Sequence, residues 1–461
     1  MLPDVSLLKI FDFYLYGNSE AWHTLVHVCR KWRTVVFGSP RRLNVHLVCT
    51  ARTPMRKTLD IWPPLPIFIR GWDHLNSDVD NIIAALEHND RVRGIILYRV
   101  PRLQIEKVLA TMQGPFPELT ILEFLSESEA APVIPKSFLG GYAPRLRTLS
   151  LTRIPFPVPV LRKLHLSATH LINLSLSNIP QSGYISPEAM VTCLSTLTSL
   201  QTLRLEFETP QPHPAQEIRR PPPQTRTHLP ALTWSEFGGV SEYLEDLVAR
   251  IDAPLFYLRI TFFHQLIFDT PQLAQFISRT PTLKVRDGAH VSFSNLGVSV
   301  ALLSSPWTHP VEGLILRTSC KQSDWQLPSL AELCKSSLPP RVISSLDQLF
   351  IRENKQLQLH WQDDIECSQW LELLRAFTAV KDLYLSQEFA PRIAPALQEL
   401  VEGRATEVLP ALQNLFLEEP QQSGPVKEAV GQFVAARQLS GHPISVFPWD
   451  RKNDEWWNPN G

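Results

Sequence analysis

Residues 146–151 read LRTLSL, 171–176 read LINLSL and 200–205 read LQTLRL. Each has leucine at its first, fourth and sixth positions, and side chains along a strand alternate between two faces. The fourth and sixth leucines therefore share one buried face, and the residue between them points the other way. The frame continues as LFYLRI from Leu255, VEGLIL from Val311, LDQLFI from Leu346, VKDLYL from Val380 and LQNLFL from Leu412. Weaker copies are VRGIIL from Val92, LTILEF from Leu119, LTWSEF from Leu232 and AHVSF from Ala289. Successive copies lie about 23 to 35 residues apart, overlapping and then exceeding the spacing of leucine-rich repeats.

Helical patterns fall between these strands: Val79, Ile82, Ile83 and Leu86 behind a Ser77 cap; Leu244, Leu247, Val248 and Ile251; Leu273, Phe276 and Ile277; Trp370, Leu371, Leu374 and Phe377. A strand-plus-helix unit cannot bury both of its faces alone, so the copies are expected to stack. The expected fold class is α/β: a curved leucine-rich-repeat-like solenoid over 91–447, with a parallel sheet on the concave face and helices outside. A doubly wound nucleotide-binding fold is the rival, but neither G-x-G-x-x-G nor G-x-x-x-x-G-K-[ST] occurs.

Composition narrows the function classes. The chain has 461 residues with 44 basic and 45 acidic side chains, so neither nucleic acid nor a membrane surface is an expected partner. Cys29, Cys49, Cys193, Cys320, Cys334 and Cys367 show no zinc-type or disulfide-type spacing, and no metal or cofactor is expected. Together with the absence of a long apolar run or a secretory leader, this points to a soluble protein of cytosol or nucleus. The sequence has 40 prolines against 18 glycines, which favours many short elements. No G-x-S-x-G, H-E-x-x-H or kinase signature is present, and His264 and His290 read as structural histidines, so the chain is expected not to be an enzyme.

The N-terminus differs from the repeats. In LPDVSLLKIFDFYL, residues 2–15, Val5, Leu8, Phe11 and Leu15 recur at helical spacing, widened by Leu7, Ile10 and Tyr14. Asn18 or Ser19 is placed to cap a second helical stretch carrying Trp22, Leu25, Val26 and Cys29, continued by Trp32, Val35 and Val36. Leu43, Val45 and Leu47 then alternate as a strand. Leu2-Pro3-Asp4, then Leu7, Leu8 and Ile10, then LVHVCRKWR over 25–33, followed by Pro40 and Leu43, resemble an F-box. It departs from that pattern at Val5, where an acidic residue is usual, and at Ser6, where an aliphatic one is usual. The repeats beyond are similar to the leucine-rich arrays of F-box proteins, as in the large fungal sets.

That resemblance implies a three-helix F-box over 1–48 that binds a Skp-type adaptor, which in turn joins a cullin. The adaptor contacts it implies are Leu2, Pro3, Leu8, Ile10, Val28, Cys29 and Trp32, with Trp32 open to a second reading as core. It also implies a substrate-recognition subunit of an SCF-type ubiquitin ligase, with the repeats holding a protein substrate. The alternative is a repeat scaffold that needs no adaptor, with the N-terminal helices as an end cap.

Three further regions complete the organisation. Residues 49–90 are read as a connecting strand and helix that begin the solenoid. The proline-rich stretch 209–230 is read as an exposed loop, and 448–461, with Trp449, Trp456 and Trp457, as a tail that caps the last repeat or folds across it. The outward position of the frame reads Ser150, Ser175, Arg204, Arg259, Ile315, Phe350, Tyr384 and Phe416. Its last four members are expected to form one continuous apolar ladder, with Arg317 and Arg352 beside the rings. Ile315, Arg317, Phe350, Arg352, Tyr384 and Phe416 are thus the candidate substrate site, suited to an acidic or aromatic-containing segment.

Overall fold

All the copies of the leucine frame form strands, because each supplies two or three apolar side chains at period two for a helix to cover. The computed structural model describes residues 2–16, 21–71, 79–127, 131–210, 225–263, 265, 267–283, 287–303, 313–320, 323–353, 366–400, 404–418 and 424–450. The chain divides into two compact units: Met1–Ile185 with Thr192–Glu208, and Ser186–Val191 with Thr209–Gly461. No helix among the described residues is long and apolar enough to cross a membrane.

The first unit opens with three helices, α1 (Asp4–Leu15), α2 (Trp22–Val28) and α3 (Arg30–Gly38). The buried seam of α1 is Leu7, Phe11 and Leu15, an i, i+4, i+8 row: Phe11 and Leu15 belong to the expected row, and Leu7 stands in it where Val5 and Leu8 were expected. Val5 is exposed because it lies on the far side of the helix from that seam. The second helical stretch is broken at Cys29, whose extended backbone (φ −160°, ψ 168°) turns the chain between α2 and α3 and leaves Cys29 exposed. Trp22 is fully buried; its indole Nε1 donates to the His46 carbonyl at 3.1 Å and its ring meets Trp62 edge-on at 5.2 Å. These contacts fasten the helices to the first strand of the unit.

From there β1 (Leu47–Cys49), β2 (Ile67–Gly71), β3 (Val92–Val100), β4 (Ile121–Ser126), β5 (Thr148–Thr152), β6 (Asn173–Ile179) and β7 (Thr202–Phe207) pair in parallel and in chain order. Helices such as Asp80–Leu86, Arg102–Thr111 and Val158–Ser167 run between them. The frame stays in register: Leu122, Leu149, Leu174 and Leu203 are paired in turn, as are Glu123, Ser150, Ser175 and Arg204 on the opposite face.

In the second unit the strands are β8 (Thr227–His228), β9 (Trp234–Gly239), β10 (Ile251–Asp252), β11 (Tyr257–Phe263), β12 (Gly288–Ser294), β13 (Gly297–Leu303), β14 (Gly313–Ser319), β15 (Gln348–Glu353), β16 (Asp382–Leu385), β17 (Asn414–Glu418) and β18 (Ser445–Trp449). The short β8 and β10 pair with each other, and Arg226 donates to the Ala249 carbonyl at 3.3 Å. The end of the stretch 209–230 is therefore built into the unit, whereas 211–224 lie outside the described residues. Strand β18 adds to β17, so Pro448 and Trp449, assigned from sequence to the tail, are sheet residues.

The main sheet departs from chain order at one place. β12, β13 and β14 form an antiparallel meander, and it is β14 that pairs with β11 while β12 pairs with β15. Gly297 opens β13 at φ +148°, and a Cβ there would stand 2.1 Å from the Thr318 carbonyl oxygen, so only glycine fits. Val291, Phe293, Val298, Val300, Leu314 and Leu316 bury one face completely. Phe293 packs against Trp370 of the helix Cys367–Arg375 at 5.8 Å, which identifies that face as the one the helices cover.

Candidate functional site

On the opposite face, strand pairing sets a single row across the second unit: Glu236, Arg259, Ile315, Ala301, His290, Phe350, Tyr384, Phe416 and Phe447. The expected ladder exists but is composed differently. Ile315 does not adjoin Phe350, since the meander inserts Ala301 and His290 between them. It packs instead with Tyr257, Ala301 and Leu303, beside Trp234. The rings that do stack are His290 on Phe350 (4.3 Å, 2°), Phe350 on Tyr384 (4.2 Å, 13°), Tyr384 on Phe416 (4.3 Å, 6°) and Phe416 on Phe447 (5.4 Å, 25°). Parallel strands about 4.8 Å apart in exact register leave planar side chains little alternative.

The ladder is closed at one end and open at the other. Trp449, itself buried, reaches back from the last strand to stand 6.0 Å from Phe350 and 5.5 Å, edge-on, from Tyr384. Phe350 is only 9% exposed, whereas Tyr384 and Phe416 are half-buried and Phe447 is 43% exposed. The idea that the tail folds over the ladder thus has a counterpart in Trp449; Trp456 and Trp457 lie outside the described residues.

Arg317 and Arg352 share the next row, but Ser299 and Ser292 separate them. Arg352 is buried and Arg317 half-buried. Burial, and then the neighbouring Arg259, lower the Arg317 pKa. His290 is buried, and burial followed by Arg352 holds its pKa well below the usual 6.5, so it is a neutral ring at neutral pH. The charges flanking the open rings are of the other sign. A cleft of about 380 Å³ at the start of β15, β16 and β17 is lined by Asp287, Asp347, Gln348, Lys381, Asp382, Gln413 and Asn414. Sequence reasoning missed it because the lining comes from positions two residues before each ring and from the residue ahead of each strand. Gln348, Asp382 and Asn414 were legible there as polar residues at the third, outward position of their frame copies.

The second candidate surface is on the three helices. Leu2 (54% exposed), Ile10 (47%) and Val28 (55%) are exposed, as are Pro3 and Cys29, while Leu8 is half-buried. Trp32 is half-buried against Phe11, ring centroids 4.8 Å apart, so it belongs partly to the core of the three helices. Val5, Phe13 and Tyr16 are also exposed apolar groups, with Phe13 at 85%; Val5 was expected in the apolar row, and Phe13 and Tyr16 were not singled out from sequence. The seam through Leu7, Phe11 and Leu15 was the signal, since Phe13 lies about 200° around the helix from Phe11. Lys31 ties the start of α1 to α3 by donating to the Leu2 carbonyl at 2.8 Å and pairing with Asp4 at 3.2 Å.

No protein-family model matches the chain. No curated protein matches it either. Among solved structures it is similar to the leucine-rich repeat-containing protein LegL7 from Legionella pneumophila, at 12% identity and a TM-score of 0.24, with 80% of this chain and 96% of that chain covered.

Proposed function

We propose that the chain is the substrate-recognition subunit of a Skp-adaptor and cullin ubiquitin ligase, acting in cytosol or nucleus and carrying no catalytic centre of its own. It would bind the adaptor through α1–α3 and a protein substrate through the repeats. The observation that carries this reading is the exposure of the F-box-like apolar residues. Leu7, Phe11, Leu15, Trp22, Leu25, Val26, Val35 and Val36 complete the core of the helices, and Leu2, Pro3, Ile10 and Val28 are left outside it. Folding alone gives no reason for a small helical unit to expose these side chains beside Val5, Phe13 and Tyr16, while docking against an apolar partner does.

A scaffold without an adaptor is the second reading, and the Trp22 bond to His46 with the Trp62 contact favours it. Those contacts are what an end cap on a strand array requires. Co-expression with a Skp-type adaptor separates the two. Capture of the adaptor by the full chain is expected. Pro3→Asp with Ile10→Asp should weaken it by about a hundredfold or more, because each buried apolar anchor contributes roughly 1.5–3 kcal/mol. Thermal unfolding should not move, since both positions are exposed. No capture by the wild type, or undiminished capture by the double variant, removes the adaptor reading.

A further inference from the structure

The open end of the ring ladder and the cleft below it form one surface. On β15, β16 and β17 the same outward face carries Gln348 then Phe350, Asp382 then Tyr384, and Asn414 then Phe416, each pair two residues apart and so about 7 Å along the strand. Three carboxylates, Asp287, Asp347 and Asp382, stand against the single ammonium of Lys381, leaving the cleft with two net negative charges. Lys381 is committed to Asp347 at 3.1 Å, and Asp382 accepts from the Asn414 amide at 2.8 Å. The exposed Asp287 carboxylate makes no ion pair or hydrogen bond among the described residues.

We propose that this surface binds a basic, extended segment of a partner protein, with an arginine or lysine stem lying across Phe416 and Tyr384 and its charged head in the cleft at Asp382 and Asp287. The sign is opposite to that expected from Arg317 and Arg352 in the sequence. Arg317 and Arg352 come two residues after the row of rings along their strands, whereas the aspartate-lined cleft precedes that row, and Tyr384 and Phe416 are more exposed than Phe350.

Two physical features favour this occupant. The alkyl part of an arginine or lysine covers apolar surface while its head stays polar. A cleft of about 380 Å³ lined by carboxylates and carboxamides supplies oxygen acceptors for a guanidinium or an ammonium group. An acidic segment would meet three like charges there.

The assignment concerns the second unit, so it stands or falls independently of adaptor binding. The full chain would be titrated into a fluorescein-labelled peptide of alternating serine and arginine, and into its serine–glutamate counterpart, with fluorescence anisotropy as readout. The basic peptide is expected to bind and the acidic one not to, with binding that weakens as salt is raised. Asp287→Asn combined with Asp382→Asn, both isosteric and at the surface, should weaken the basic peptide about tenfold or more. Equal or tighter binding of the acidic peptide, no binding of the basic one, or indifference to the double variant would each overturn the proposal. Adaptor capture measured on the same samples reports on the N-terminal helices alone, and peptide binding that responds to the aspartate variants supports this surface even where no adaptor is captured.

Discussion

Replacing Phe350 and Phe416 one at a time by alanine should give very unequal losses, although the two residues occupy the same position of the repeat. Phe350 has His290 stacked on one side at 4.3 Å, Tyr384 on the other at 4.2 Å, and the Trp449 indole at 6.0 Å. It is 9% exposed, so Phe350→Ala is expected to cost about 3–5 kcal/mol, the usual range for a large ring removed from a packed interior. Phe416 stacks at 4.3 Å on Tyr384 and at 5.4 Å on Phe447 but is half-buried. With about half the transfer term, and a gap that solvent can fill, Phe416→Ala should cost about 1–2 kcal/mol. A chain of two units has no single unfolding free energy. The assay is therefore native-state hydrogen exchange, read on peptides covering β15–β17, where the loss appears as a local drop in opening free energy. Losses of similar size for both variants, or a loss below about 1 kcal/mol for Phe350→Ala, would refute the claim that one end of the ladder is core and the other is surface.

Two further outcomes follow from the same unit. His290 is neutral in the fold, with its pKa depressed below 6.5, but takes up a proton in the unfolded chain at about that pH; stability that is present above pH 6.5 is therefore lost as the pH falls below it, and thermal unfolding at pH values on either side, compared with the flatter profile expected for His290→Phe, measures this. Gly297→Ala should destabilise the second unit by at least about 2 kcal/mol, since its φ of +148° and the Thr318 carbonyl both oppose a side chain, and native-state hydrogen exchange on peptides covering β13 and β14 reads the loss.

Much of this architecture was legible because leucine at fixed offsets reports which way a strand faces. The copies from Leu146, Leu171 and Leu200 form β5, β6 and β7, and the helices around Leu273 and Trp370 lie where their 3.6-residue periodicity put them. The meander was hidden because GVSVALL, which forms β13, has no spaced leucines, and β12 to β14 bury residues on both faces, so alternation disappears. Frame position then ceased to equal spatial position, which is why Ile315 was placed beside Phe350. On α1 the stripe was drawn too wide: Val5, Ile10 and Tyr14 satisfy helical spacing as well as Leu7 does, and only packing against α3 decides between them. The ring ladder was readable from single residues, but its covering by Trp449 depends on β18, which has no leucine frame at all.

The order in which the strands of the second unit lie also constrains how it is assembled. In a plain repeat array each new strand settles on the edge left by the one before, so the structure grows as the chain leaves the ribosome. After β11, however, the next strand in the chain takes a lane three strand widths away, about 14 Å, and the two lanes between are filled backwards by β13 and then β14. The β11 edge therefore stays unpaired until Ser319 has been synthesised, and β15 has nothing to join until β12 is anchored. Residues 288–319 must close as a single block, a checkpoint in the middle of an otherwise vectorial process, and any chain truncated inside that block is left with an open edge and a propensity to aggregate.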